Sequence, residues 1–168
     1  MLLLLIRHGD ALSADQDSAR PLSPQGRADV VRLAGRLRAD EAVAPATIWF
    51  SPYRRARETA ALLAQHAQPA GQPIMLIGKS YLTPDDDPAK IARLLAELPP
   101  AANLAIVGHE PHLTALATLL VTGRATPVQF ALEKACVITL VPATGKHEGS
   151  GFPRWEVREQ IPPGPPAR

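Results

Sequence analysis

Hydrophobic positions along the chain fall into short solid runs separated by helically spaced stripes. Leu2 to Ile6 is a continuous apolar run ended by Arg7-His8-Gly9, the pattern of a strand buried on both faces. The polar segment Asp10 to Arg20 follows as a loop. Ser23-Pro24 then supplies a cap and a first-turn proline for a helix that carries Val30, Leu33, Ala34 and Leu37 on one side. Thr47 to Phe50 predicts a second strand, and Ser51-Pro52 the opening of a second helix reaching about His66. Ile74 to Ile77 is a weaker strand. Asp87-Pro88 starts a third helix with Ile91, Leu94, Leu95 and Leu98, and Pro99-Pro100 stops it. Leu104 to Val107 predicts another buried strand, and a helix from about Pro111 carries Leu113, Leu116, Ala117 and Leu120. Val137 to Val141 and Arg154 to Arg158 predict two closing strands, paired as a hairpin across Gly145 to Gly151.

Strands alternating with helices imply parallel pairing. The expected fold is an α/β/α three-layer sandwich around a mostly parallel sheet of about six strands. A chain of 168 residues suits one domain, assigned to 1–160, with a proline-rich tail over 161–168 expected to be flexible. Net charge of +2 is far from the clustered excess of a nucleic-acid binder, so no nucleic-acid partner is expected. No apolar stretch approaches the ~20 residues of a membrane span. The opening apolar run has no basic region before it and is too short for a secretory signal. A cytoplasmic protein without membrane contact is expected, with a monomer as the default. The single cysteine, Cys136, lies in an apolar run and reads as a small buried thiol.

Open sheets of this kind bind ligands outside the carboxyl ends of their strands. Three predicted strand ends carry unusual chemistry: Arg7-His8-Gly9, Ser51-Pro52-Tyr53-Arg54-Arg55, and Gly108-His109-Glu110. Helical geometry separates the arginines of the second segment, because each residue turns a helix by about 100°. Ala56, Thr59, Leu62 and Leu63 form the apolar stripe, and Arg55 lies roughly 50° from its centre. Arg54 and Arg57 lie roughly 150° away, facing solvent, where Arg54 can pair with Glu58 at i, i+4. Arg55 is therefore the inward guanidinium, beside first-turn N–H groups that favour an anion.

Two guanidinium groups, Arg7 and Arg55, suit a tetrahedral dianion held by forked hydrogen bonds. A neutral imidazole between them can attack phosphorus, so His8 is the candidate nucleophile. Nearby positive charge disfavours its protonated form. His109 would be cationic or a hydrogen-bond donor stabilising charge on the equatorial oxygens. Gly9 would leave room for the phosphate and for close backbone approach. Arg20 and Ser13, in the loop after the first strand, are candidates for the substrate-binding rim. His109-Glu110-Pro111-His112 superficially suggests a zinc helix motif, but its histidines are spaced i, i+3 with a proline between them, so no metal site is expected. His112 is expected to line its helix with Leu116 and Leu119 or to touch substrate at the rim.

The three motifs, in this order, resemble those of the histidine phosphatase (phosphoglycerate mutase-like) superfamily: Arg7-His8-Gly9, Ser51-Pro52-x-x-Arg55-Ala56-x-x-Thr59 and Gly108-His109. Arg7-His8-Gly9-Asp10-Ala11, Arg20-Pro21-Leu22-Ser23-x-x-Gly26 and Gly108-His109-Glu110-Pro111 look most like the small SixA-type phosphohistidine phosphatases. The resemblance covers residues 1 to about 141. It implies a phosphohydrolase in which His8 is phosphorylated and Arg7, Arg55 and His109 complete the phosphate pocket, with no metal or organic cofactor. Larger relatives carry a glutamate on an insertion between the second and third motifs, or an aspartate directly after the second histidine, the position that Glu110 occupies here. Glu110 is therefore a candidate acid, set against a role as a first-turn acid complementing a helix dipole. Asp85, Asp86 and Asp87 are a third option, set against loop and capping roles. The implied partner is a phosphorylated protein bearing phosphohistidine, or a small phosphate ester or nucleotide. A mutase is disfavoured by the short connections, which argue for an open, water-accessible site. A non-catalytic phosphoprotein-binding module is disfavoured by the full complement of reactive groups.

Overall fold

A computed structural model describes residues 1–16, 19–40, 42–69, 71–98 and 103–164. Six strands and four helices alternate as β1 (Leu3–Arg7), α1 (Pro24–Ala39), β2 (Thr47–Phe50), α2 (Arg54–Ala67), β3 (Met75–Gly78), α3 (Pro88–Glu97), β4 (Leu104–Gly108), α4 (His112–Thr122), β5 (Val137–Lys146) and β6 (Pro153–Ile161). The sheet order is β3-β2-β4-β1-β5-β6. The first four strands are parallel, and β5 and β6 run antiparallel as the predicted hairpin. The expected three-layer, mostly parallel architecture is observed.

The solid apolar runs are central strands whose alternate residues feed two cores. Leu4 and Ile6 of β1 pack with Val30, Leu33 and Leu37 of α1 and Ala60 and Leu63 of α2 on one face. Leu3 and Leu5 pack on the other with Ile91 and Leu95 of α3 and Leu113, Leu116 and Leu120 of α4. Each fully buried Leu or Ile contributes about 1.5–3 kcal/mol of transfer free energy, which accounts for a β1 that carries no polar residue before Arg7.

The first helix begins as the sequence predicts. Ser23 accepts a hydrogen bond from Gly26 N at 3.0 Å and Pro24 occupies the first turn. The second does not: α2 starts at Arg54, with Tyr53 at its cap position and no side-chain cap among the described residues, because Ser51 stands two residues before that position. Asp87 caps α3 by accepting from Ala89 N at 2.9 Å. The expected stop at Pro99-Pro100 lies outside the described residues. β6 continues to Ile161, the first residue of the expected tail, because Ile161 pairs with Val137 and is buried in the core. Among the described residues no helix is long and apolar enough to cross a membrane.

Register brings the three motifs together. β4 lies between β1 and β2, with Arg7 opposite Gly108 and Phe50 opposite Val107. The residues that follow, His8, His109 and Ser51, must therefore leave the sheet side by side.

Candidate active site

His8 is 6% exposed, and its two ring nitrogens face partners of opposite kind. Nδ1 lies 2.7 Å from the Gly9 carbonyl oxygen, which can only accept. Nε2 lies 3.1 Å from Arg55 Nε–H, which can only donate. The consistent assignment is a neutral ring with its hydrogen on Nδ1 and a lone pair on Nε2. Burial, then repulsion from Arg55 and Arg7, lowers the His8 pKa to about 4, although the Gly9 carbonyl acts in the opposite sense. The sequence reading named positive charge as the cause, but burial is the larger influence.

His109 is 2% exposed, and its ring centroid is 4.9 Å from that of His8. Nε2 lies 2.8 Å from Ser51 Oγ, whereas Nδ1 is buried with no hydrogen-bond partner among the described residues. Burial, then the neighbouring His8 and Arg55, lowers its pKa to about 3. Of the two states left open for His109, the free protein holds the neutral one.

Arg55 is the inward arginine, as helical phase predicts. Arg54 donates to Glu58 at 2.8 Å, and Arg57 is exposed. The Arg55 guanidinium stacks 4.9 Å from the Tyr53 ring, and burial and the nearby Arg20 lower its pKa. Arg7 reaches from β1 to donate to the Leu132 carbonyl at 3.0 Å, leaving its Nε buried and without a partner among the described residues. The site is thus a pair of neutral imidazoles beneath guanidinium groups, electrostatically prepared for an anion.

Gly9 has a more structural explanation than space for a ligand. A β-carbon there would meet Val30 Cγ2 at 2.8 Å and the Gly26 carbonyl oxygen at 2.9 Å. Its N–H is already bound to Thr59 Oγ1 at 3.1 Å. Thr59 in turn donates to the Arg55 carbonyl at 2.7 Å, tying the nucleophile loop to α2. Arg20 adopts a left-handed φ of 49° and lines a cavity of about 260 Å³ with Tyr53, Arg54 and Arg55. Ser13 is exposed and hydrogen-bonds within its own turn to Gln16, so the structure does not join it to the pocket by any such bond. A larger cavity of about 770 Å³ lies at the other end of α4, around Gly123, Arg124 and His147, away from this chemistry.

Glu110 follows His109 and is half-buried. Thr114 donates to its Oε2, while Oε1 has no partner among the described residues. Burial pushes its pKa up, against the opposing influence of Thr114 and Arg7. Asp86 accepts from Thr83 N and Oγ1 at 2.6 and 2.7 Å, and Asp87 caps α3, so both are committed to the loop. Asp85 is exposed. His112 is 1% exposed, its ring nitrogens unpartnered among the described residues, in keeping with a place along the helix interior.

Several contacts are not evident from the sequence. Thr59 falls on the apolar stripe, although its i, i+4 relation to Arg55 signals a hydroxyl that can return to the helix backbone. Ser51 carries the pattern of a helix opener, not of a partner for His109. Lys134, 2.6 Å from Asp10 and adding to the positive field on His8, comes from a distant loop with no local signal.

No curated protein matches the chain. Residues 3–76 match the model of the histidine phosphatase superfamily, branch 1, a segment that contains Arg7, His8 and Arg55 but not His109. Among solved structures, the protein histidine phosphatase SixA complexed with tungstate is 23% identical, with 97% of each chain covered and a TM-score of 0.76. A candidate phosphohistidine phosphatase SixA from Agrobacterium tumefaciens is 21% identical over 95% of this chain and 96% of that one, with a TM-score of 0.69. A mycobacterial glucosyl-3-phosphoglycerate phosphatase in complex with VO3 is 18% identical over 94% and 97%, with a TM-score of 0.68. At these identities the structural likenesses speak for the fold. The family match covers the first two of the three motifs, and the structural likenesses agree with the fold that the resemblance implies.

Proposed function

As a chain with the histidine phosphatase signature in its first half and that superfamily's fold throughout, this protein is, we propose, a phosphohydrolase that acts through a phosphohistidine on His8 Nε2. The observation that carries the reading is the polarity of the His8 ring. Its Nδ1 faces a carbonyl at 2.7 Å and its Nε2 a guanidinium N–H at 3.1 Å. Such a ring is neutral and fixed in orientation, with its lone pair directed at Arg55 Nε–H, a donor that must turn to a phosphoryl oxygen for Nε2 to attack phosphorus. In the first step Nε2 forms a bond to phosphorus as the bond to the leaving group breaks, the leaving group taking the electron pair and a proton. In the second, water attacks phosphorus, the P–Nε2 bond breaks and inorganic phosphate leaves. Arg7, Arg55 and His109 bind the transferring group.

The favoured substrate is phosphohistidine on a protein. The connections at the two other strand ends are only three residues long, 51–53 and 109–111, so neither builds a cap over the pocket. A phosphoramidate also needs little acid assistance. The SixA structure with tungstate shows that a protein of this fold accepts an oxyanion. A second reading, hydrolysis of small phosphate esters, is favoured by Glu110, whose raised pKa suits an acid that protonates an alkoxide from Oε1. Incubation with a phosphoramidate should leave acid-labile phosphate on the wild-type chain and none on His8→Ala. Absence of that phosphate in wild type refutes the covalent mechanism. Comparing rates on a phosphohistidine protein, a free phosphoramidate and alkyl phosphates decides between the two substrate classes.

A further inference from the structure

We propose that Ser51 is a positioning residue that sets the tautomer of His109. Its hydroxyl donates to Nε2, so that the ring carries its hydrogen on Nδ1 and offers it to an oxygen of the phosphoryl group. The inference rests, for its purpose, on the phosphoryl-transfer reading above.

Ser51 is fully buried at the end of β2, next to β4 in the sheet, and its Oγ lies 2.8 Å from His109 Nε2. The other neighbour of Oγ is Tyr53 N, at 3.4 Å, which can only donate. A serine hydroxyl has one hydrogen to give and two lone pairs to receive. If His109 Nε2–H donated to Oγ, the hydroxyl would receive twice and its own hydrogen would have no acceptor. His109 Nδ1 would then be a buried lone pair, also unmatched. The reverse arrangement satisfies both sides of Ser51, giving to Nε2 and receiving from Tyr53. It leaves only one group unmade, the Nδ1–H of His109. Buried polar groups are rarely left unpaired, so the arrangement with one orphan is preferred over that with two. The remaining orphan is a donor, the kind of group that an oxyanion completes.

The local backbone is compatible with this: α2 starts at Arg54 with Tyr53 at its cap position, so Ser51 is not the cap residue of that helix.

The test uses the full chain labelled with 15N-histidine at neutral pH. A long-range proton–nitrogen correlation distinguishes a ring nitrogen bearing hydrogen from one bearing a lone pair, and His109→Gln identifies the signals. The expected result is hydrogen on His109 Nδ1 in wild type and in Ser51→Thr, and a shift toward Nε2–H in Ser51→Ala. Affinity for tungstate should fall about tenfold in Ser51→Ala and recover in Ser51→Thr, the size of one hydrogen bond to an anion. A wild-type ring with its hydrogen on Nε2, or a Ser51→Ala ring unchanged from wild type, overturns the proposal. Should Ser51→Ala fail to fold, the wild-type spectrum alone decides. A chain with Nδ1–H that forms no phosphohistidine would remove the hydrolase reading and leave the Ser51 assignment standing.

Discussion

Replacing His8 with glutamine should flatten the acid side of the stability profile. The folded chain holds the His8 pKa at about 4, against 6.5 for an ordinary imidazole, chiefly because the ring is buried. As pH falls below about 6.5 the unfolded chain takes up a proton that the folded chain refuses, so stability declines until the folded pKa is reached and then levels off. Each unit is worth about 1.4 kcal/mol, so this one side chain should remove about 3 kcal/mol between pH 7 and pH 4. Glutamine cannot titrate, and the variant should lose about 3 kcal/mol less over the same interval. Urea unfolding at half-unit pH steps measures both curves. Parallel curves for the two proteins would refute the argument that the folded site excludes the protonated ring. The same shift has a kinetic counterpart in kcat/KM, which reports the free enzyme. At pH 5.5 an ordinary histidine would be about nine-tenths protonated, whereas His8 stays almost wholly neutral. The acid limb governed by the nucleophile should therefore lie near pH 4, after correction for substrate ionisation.

Other perturbations separate structure from chemistry. Arg55→Lys should lower kcat/KM by about 10²-fold, because an ammonium cannot reproduce the forked contact, while exposed Arg57→Lys should stay within about twofold; equal effects would remove the inward assignment. Glu110→Gln should slow alkyl phosphate hydrolysis by about 10²-fold and phosphoramidate hydrolysis by less than about threefold. Steady-state rates that change equally on both substrates would exclude a role as general acid. Gly9→Ala should destabilise the fold by about 1–3 kcal/mol in chemical denaturation, since one of the atoms that its β-carbon meets is the backbone oxygen of Gly26. A neutral outcome would show that α1 can move away.

Much of the candidate site is legible before folding is considered. The apolar run of Leu2 to Ile6 requires a buried strand, and it ends on Arg7 and His8 because charge cannot continue into that core. Helical phase alone distinguishes Arg55 from Arg54 and Arg57. Ser23-Pro24 and Asp87-Pro88 announce their helices because capping is settled by groups within three residues. Ser51-Pro52 carries the same local pattern and misleads: α2 starts two residues later, at Arg54, and the Ser51 hydroxyl meets a partner 58 residues away.

That partner marks the boundary. Local sequence determined which segments become strands and helices, and which side chains stand at their ends. Only the tertiary structure decided that β4 inserts between β1 and β2, since strand pairing joins residues about a hundred positions apart that no periodicity relates. It also decided the hydrogen placement on the two imidazoles, and it decided which residues reach the site from the loop before β5. Leu132 meets Arg7 and Lys134 meets Asp10 there. Residue types supply the donors and acceptors. Which of them is left with a lone pair or an unpartnered hydrogen depends on neighbours that only the packed sheet brings within 3 Å.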